Sequence, residues 1–87
     1  MYKIRILKEA ANNLKNLDKT IVKRILRKLN WLSENAETIK PKGLRENLSA
    51  FAKLREGDYR IIYQILHDEK TIVVRFIGHR REIYKNK

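Results

Sequence analysis

Six side chains able to bind an anion or move a proton lie in the second half of the chain, in and beside runs of alternating apolar residues. They are Lys53, Arg55, Arg60, His79, Arg80 and Tyr84. The two-residue period of an extended strand places Phe51, Lys53 and Arg55 of "AFAKLR" on one face. A turn at Glu56-Gly57 brings Arg60 within reach of that face on the next strand. Like charges facing each other destabilise a sheet, so the cluster indicates an anionic ligand, a phosphate above all.

The remaining composition restricts the mechanism that these groups can serve. The chain has no cysteine and only two histidines, and it shows no Gly-rich phosphate loop, Ser-His-Asp set or pair of carboxylates. RNA fits because its 2′-hydroxyl is the nucleophile, and the protein then only moves protons and stabilises charge on the phosphate. Lys53 is the candidate base, since neighbouring cations disfavour the charged form of a lysine. No metal and no cofactor are expected.

Each of these residues taken alone also has an ordinary explanation. A single arginine at a strand end is usually solvated, a lone histidine is more often structural, and a C-terminal tyrosine such as Tyr84 is more often a packing lid. We interpret Tyr59 and Tyr63 as core residues because they share a strand face with Ile61 and Ile65. The hypothesis of a site therefore depends on basic groups from neighbouring strands converging beside an aromatic ring.

The overall charge also points to a polyanionic partner. Among 87 residues, 21 Lys and Arg are set against 10 Asp and Glu, which leaves a net charge of +11 and a pI near 10.2. Such an excess causes self-repulsion in the folded state, and nucleic acid is the first class of partner that offsets it. No apolar run is long enough to span a bilayer, and the N-terminus does not resemble a signal peptide. We therefore expect one cytoplasmic domain over residues 1–87, with no membrane partner.

The periodicity of the chain predicts a two-layer α+β fold. "MYKIRIL" alternates as a strand does, and "KEAANNLKNL" predicts a short helix. Asp18 is the predicted N-cap of a longer helix, "KTIVKRILRKLNWLS", which carries a core-facing apolar stripe. The stripe is Val22, Ile25, Leu26, Leu29 and Leu32. A loop is predicted over residues 34–49, where Pro41 and Gly43 interrupt the pattern. "AFAKLR", "DYRIIYQIL" and "TIVVRFIGH" then predict a three-stranded antiparallel meander with the helices on one face.

Two stretches, "LRENLSAFAKLREGDYRIIYQI" and "VVRFIGHRREIYK", resemble the RelE branch of the RelE/ParE toxin superfamily, and the resemblance covers nearly the whole chain. It implies a compact fold similar to microbial ribonucleases. It further implies a cytoplasmic toxin, an endoribonuclease that enters the ribosomal A site and cuts messenger RNA there by 2′-hydroxyl attack. A cognate RelB-like antitoxin is implied as the partner that wraps and blocks the toxin.

The resemblance implies roles for residues on the first two strands of the meander. Lys53 is the base or a phosphate contact, with Arg55 beside it as an RNA contact. Arg60 stabilises the charge that develops on the phosphate. Where some relatives carry a second lysine, this chain has Phe51, which offers RNA a stacking surface instead.

The resemblance implies further roles in "GHRREIY". Arg80 is a phosphate clamp or proton donor, and Tyr84 orients or stacks the base at the cut. His79 is a competing general acid, since an imidazole titrates near neutral pH. Arg81 is an additional RNA contact.

Two other functions remain open on the sequence. The first is a toxin of the same superfamily that poisons DNA gyrase without nuclease activity, although such relatives tend to lack the basic residues and tyrosine found here. The second is a nonenzymatic or decayed toxin that only binds its antitoxin. The basic residues covering the longer helix fit either a solvated face or a phosphate-contact surface.

Overall fold

A computed structural model describes residues 1–38, 51–79 and 81 of the chain. The elements are β1 (Lys3–Ile6), α1 (Lys8–Lys15), α2 (Lys19–Asn35), β2 (Ala52–Glu56), β3 (Tyr59–Leu66) and β4 (Thr71–His79), with short 3-10 turns at Ala36–Thr38 and His67–Glu69. This order confirms the predicted α+β class. The loop predicted over residues 34–49 begins later than expected, because α2 continues to Asn35 and the 3-10 turn after it packs Ala36 in the core. The rest of that predicted loop, including Pro41 and Gly43, lies outside the described residues. Neither α1 nor α2 is long and apolar enough to cross a membrane.

The four strands form one mixed sheet in the order β1-β4-β3-β2. The pairs β2–β3 and β3–β4 are antiparallel, as the meander prediction requires. β1 is parallel to β4, with Ile4 opposite Ile72 and Ile6 opposite Val74. Parallel neighbours such as β1 and β4 cannot be joined by a tight turn, so the chain between them must cross over the sheet. Both helices belong to this connection and can therefore lie on the same side of the sheet.

One face of the sheet packs on the helices and forms the core. The largest fully buried side chains are Ile25, Leu29, Leu32, Ile61, Ile72, Val74 and Ile77. Tyr63 is buried and Tyr59 packs against the same cluster, which confirms the prediction for both tyrosines. Burial raises the pKa of the Tyr63 hydroxyl above its usual value. Neither α1 nor α2 packs on the opposite face of the sheet.

The apolar stripe of α2 is narrower than the sequence predicts. Leu26 is 44 % exposed, so its assignment to the core is wrong. A step of one residue turns a helix by about 100°, which carries Leu26 away from the sheet that buries Ile25. Asp18 occupies the N-cap position as predicted, but its side chain makes no capping hydrogen bond. Its backbone carbonyl accepts the N–H of Val22 at 2.9 Å, which is the first hydrogen bond of the helix.

A tight hairpin sets the register between β2 and β3. Gly57 and Asp58 form the turn, one residue later than predicted, and Gly57 has φ 61°. A positive φ at the first of two turn residues favours glycine, because a Cβ there meets the backbone. Glu56 at the end of β2 accepts a hydrogen bond from Arg24 Nε at 3.1 Å, which ties the hairpin to α2.

A side chain from α1 supports the last part of β4. Pairing with β1 ends at Val74, whose carbonyl accepts the N–H of Leu7 at 3.0 Å. Beyond this point, Asn13 Oδ1 accepts the backbone N–H of Ile77 at 2.9 Å. Asn13 therefore supplies the hydrogen-bond acceptor that a neighbouring strand would otherwise supply to β4, just before Gly78 and His79.

Replacing Asn13 by leucine is expected to destabilise the fold by about 1–3 kcal/mol, because the partly buried N–H of Ile77 loses its acceptor. Asn13→Asp keeps an oxygen at the same position and is the matched control, with a smaller expected loss. Urea unfolding followed by circular dichroism measures both. Equal stability of Asn13→Leu and the parent chain would contradict this role.

Candidate functional site

The face of the sheet turned away from the helices carries a cluster of cations. Ala52 and Leu54 pack on the core, so the alternation of β2 points Lys53 and Arg55 outwards. Arg60 is the direct cross-strand partner of Arg55. The predicted convergence of these three basic residues on one face is therefore present in the structure.

This surface extends across all four strands. Alternation in β1 points Lys3 and Arg5 outwards, because Ile4 and Ile6 pack on the core. Arg75 of β4 joins the face through Gln64, whose Oε1 accepts a hydrogen bond from Arg75 Nη1 at 3.2 Å. We call these residues the cationic sheet face: Lys3, Arg5, Lys53, Arg55, Arg60 and Arg75. Within β1 to β4 as described, the alternation points no Asp or Glu to this side.

Arg60 is the unusual member of the cationic sheet face. Its side chain is only 7 % exposed, and within the described part of the chain its Nη1 is buried without a hydrogen-bond partner. A guanidinium keeps its charge in proteins, and a buried charge without an acceptor is strongly unfavourable. An anionic oxygen beside Nη1 would supply the missing acceptor. Arginine binds phosphate with paired hydrogen bonds, so phosphate is the ligand that this geometry fits best.

Gly78 lies beside Arg60 on β4 and leaves the adjacent outward position without a side chain. A glycine inside a strand often marks a place where a ligand approaches the backbone. The glycine is visible inside the predicted strand "TIVVRFIGH", but its pairing with Arg60 depends on the register between β3 and β4.

A β-bulge in β4 decides which residues share that face. Tyr63 pairs with Val74 but Ile62 pairs with Phe76, so Arg75 is an extra residue in β4. An extra residue reverses the alternation for the rest of the strand. Ile77 is consequently buried in the core, and Arg75 points outwards to Gln64.

The bulge places His79 on the helix-facing side. His79 pairs with Tyr59, and the two rings meet edge to face with centroids 5.4 Å apart. Its Nδ1 accepts the backbone N–H of Arg81 at 3.2 Å, so the neutral imidazole carries its proton on Nε2. His79 is thus separated from Lys53 and Arg60 by the sheet. Arg80 and Tyr84 lie outside the described residues.

Phe51 lies at the edge of the cationic sheet face and is 57 % exposed. The Arg75 guanidinium is 5.0 Å from the centroid of the Phe51 ring. Arg75 and Gln64 belong to this surface although neither was predicted as a site residue. An arginine inside the β-branched run "TIVVRFIGH" was a signal, because a charge in such a run must find a solvated or paired position.

Comparison with known proteins identifies relatives of the whole chain. Residues 4–84 match the family described as ParE toxin of type II toxin-antitoxin system, parDE. No curated protein matches the chain. The structure is similar to the toxin–antitoxin complex RelBE2 from Mycobacterium tuberculosis, with 28% identity, a TM-score of 0.73, and coverage of 91% of this chain and 98% of that one.

Two further structures share the fold. The isolated E. coli RelE toxin is 24% identical with a TM-score of 0.69, covering 99% of this chain and 94% of that one. The RelB-RelE antitoxin-toxin complex from Methanococcus jannaschii is 25% identical with a TM-score of 0.66, covering 94% and 96%. The structural likeness is therefore to RelE toxins, whereas the family match is to ParE toxins. The chain belongs to the ParE toxin family of type II toxin–antitoxin systems and, with its RelE-like fold, is a member of the RelE/ParE superfamily.

Proposed function

We propose that this toxin is a ribosome-dependent endoribonuclease that cleaves messenger RNA in the A site. The observation that carries the proposal is the buried, unpartnered Nη1 of Arg60 on the cationic sheet face. A phosphate of the message supplies the acceptor that Nη1 lacks. Lys53 and Arg55 on the adjacent strand place more positive charge around the same phosphate.

The reaction proposed is attack of the 2′-oxygen on the adjacent phosphorus. Lys53, acting as base, removes the 2′-hydroxyl proton while the bond from phosphorus to the 5′-oxygen breaks. Arg60 and Arg55 stabilise the extra negative charge on the phosphate oxygens as the new bond forms. The 5′-oxygen leaves with a proton, and the products are a 2′,3′-cyclic phosphate and a 5′-hydroxyl.

The remaining roles in the proposal come from the resemblance in "GHRREIY". Arg80 donates the proton to the leaving oxygen, and Tyr84 stacks the base at the cut. His79 is the weaker candidate for the acid, because it lies on the helix-facing side with Tyr59. Arg81 is exposed and serves as a contact for the RNA backbone.

The proposal includes a RelB-like antitoxin and a cytoplasmic location, where ribosomes and message meet. The similar structures from M. tuberculosis and M. jannaschii are described as toxin–antitoxin complexes. An acidic or amphipathic segment that orders on binding would neutralise the cationic sheet face and exclude RNA from it.

The family match to ParE toxins favours a second candidate, inhibition of DNA gyrase without nuclease activity. In that case the cationic sheet face would serve only to bind a partner. The nonenzymatic alternative is a decayed toxin that only binds its antitoxin. We place RNA cleavage first because the planar guanidinium of Arg60 matches a phosphate in shape and charge, and Lys53 and Arg55 lie on the same face.

Mapping of RNA 5′ ends after induction in bacterial cells tests the proposal. We expect new 5′ ends within minutes, in frame with codons and only inside translated regions. The control adds the purified toxin to a translating extract, where prior release of nascent chains with puromycin should remove these ends. Intact messages together with a DNA-damage response would overturn the proposal in favour of gyrase inhibition, and unaffected growth would favour the nonenzymatic reading.

A further inference from the structure

Phe51 and Arg75 form an exposed pair of an aromatic ring and a guanidinium that phosphate binding alone does not explain. The guanidinium of Arg75 is 5.0 Å from the Phe51 ring centroid, and the ring is still 57 % exposed. Single exposed aromatic rings are common on protein surfaces, but a ring held beside a guanidinium, on a face already rich in cations, presents two flat groups that can bind a ligand. We therefore consider the role of this pair separately from phosphate binding.

The position of Arg75 is built into the sheet. Arg75 is the extra residue of the β4 bulge. Its Nη1 donates a hydrogen bond to Gln64 Oε1 on β3 at 3.2 Å. A bulge re-aims a side chain and is common beside functional sites. The guanidinium is therefore fixed on the outward side before any ligand arrives.

The pair lies on the same sheet face as the proposed phosphate position. Phe51 precedes Arg55, the cross-strand partner of Arg60, by four residues, and four residues of extended chain span about 13 Å. Lys53 and Ile62 are cross-strand partners, and Arg60 and Arg55 form the next outward pair along the same two strands. A single-stranded RNA with one phosphate at Arg60 thus has a neighbouring nucleotide within reach of Phe51.

We propose that Phe51 and Arg75 are a stacking platform for one nucleobase of single-stranded RNA, adjacent to the nucleotide whose phosphate Arg60 binds. This inference rests on the proposed function. Aromatic rings and guanidinium planes are the two protein groups on which unpaired bases stack, and here one of each lies side by side, with the guanidinium carbon 5.0 Å from the ring centroid. Gln64 acts as a positioning residue through Arg75. Because a purine presents a larger ring than a pyrimidine, the platform favours a purine at this position.

The test uses the purified chain and a ten-nucleotide single-stranded RNA. One 2′-deoxynucleotide blocks cleavage, and 2-aminopurine, whose fluorescence falls on stacking, is placed on either side of it in turn. We expect quenching at one flanking position. Phe51→Leu should abolish the quenching and weaken binding about fivefold to a hundredfold. It should leave the slope of log affinity against log salt unchanged, because no phosphate contact is lost.

Two control variants make the result specific. Arg60→Ala should reduce the salt slope by about 0.7, the value for one phosphate contact on a single strand. Trp31→Leu is matched to Phe51→Leu, since Trp31 is 47 % exposed and has Lys28 Nζ 5.7 Å from its ring. Trp31→Leu should bind as the parent does. Equal losses in Trp31→Leu and Phe51→Leu would overturn the platform.

The platform and the proposed function fail separately. If the parent binds RNA with a salt slope that depends on Arg60, but Phe51→Leu binds equally well, the platform is overturned and the phosphate site stands. Absence of RNA binding by the parent at low salt would also overturn the platform. The nuclease proposal is then judged on the mapped 5′ ends in cells, which do not depend on this assay.

Discussion

Replacing Arg60 by methionine is expected to reduce message cleavage at least a hundredfold while leaving the fold as stable as the parent or more stable. Loss of one preorganised donor to a developing negative charge reduces catalysis by about 10²–10³. The stability result follows from burial, because Arg60 is 7 % exposed and its Nη1 has no acceptor in the described part of the chain. An apolar side chain of similar length removes that unfavourable charge, and comparable replacements stabilise proteins by roughly 1–4 kcal/mol.

The two effects are measured on the same preparation. Cleavage is followed by primer extension in a translating extract, and stability by urea unfolding without RNA. Arg55→Met is the matched control, because Arg55 is the exposed cross-strand partner of Arg60. It should change stability by less than about 0.5 kcal/mol and reduce cleavage by less than Arg60→Met does. Arg60→Lys keeps the charge but loses the planar pair of donors, so it should recover only part of the activity.

Either of two results would contradict this account of Arg60. Full cleavage by Arg60→Met would show that its guanidinium does not act on the phosphate. A loss of stability of several kcal/mol would show that Arg60 has a structural partner, and its burial would no longer point to a ligand.

Leu32→Ala is expected to produce the largest loss of stability, about 2–5 kcal/mol. Leu32 is 0 % exposed on the face of α2 that packs on the sheet, so the substitution leaves a cavity as well as removing apolar contact. For a domain of this size each kcal/mol lowers the melting temperature by about 4–8 °C. A loss near 3 kcal/mol would therefore lower it by about 12–24 °C.

Leu26→Ala is the control within the same helix, since Leu26 is 44 % exposed. It removes the same atoms and is expected to change stability by less than about 0.5 kcal/mol. Thermal unfolding followed by circular dichroism compares the two variants with the parent. Similar losses in both would mean that the two sides of α2 are equally buried, contrary to the packing described above.

Much of the fold was predictable because the relevant signals are local. The alternation of "DYRIIYQIL" predicts the buried and outward sides of β3, and Ile61 and Tyr63 are in the core as expected. The alternation of "AFAKLR" likewise places Lys53 and Arg55 on the outward side. The resemblance to the RelE/ParE superfamily was also correct, since it is carried by short stretches whose residue types are visible without a structure.

The sequence by itself therefore determined the α+β class, the superfamily and the presence of an outward basic strand face, because period, composition and motif are properties of neighbouring residues. Only the tertiary structure decided which side of β4 each residue faces. Unbroken alternation would have put His79 on the same side as Val73, away from the helices, but the bulge at Arg75 turns it towards Tyr59. The burial of Arg60 beside Gly78 and the proximity of Arg75 to Phe51 were decided in the same way. Each depends on the register between strands, and one inserted residue reverses every side chain that follows it.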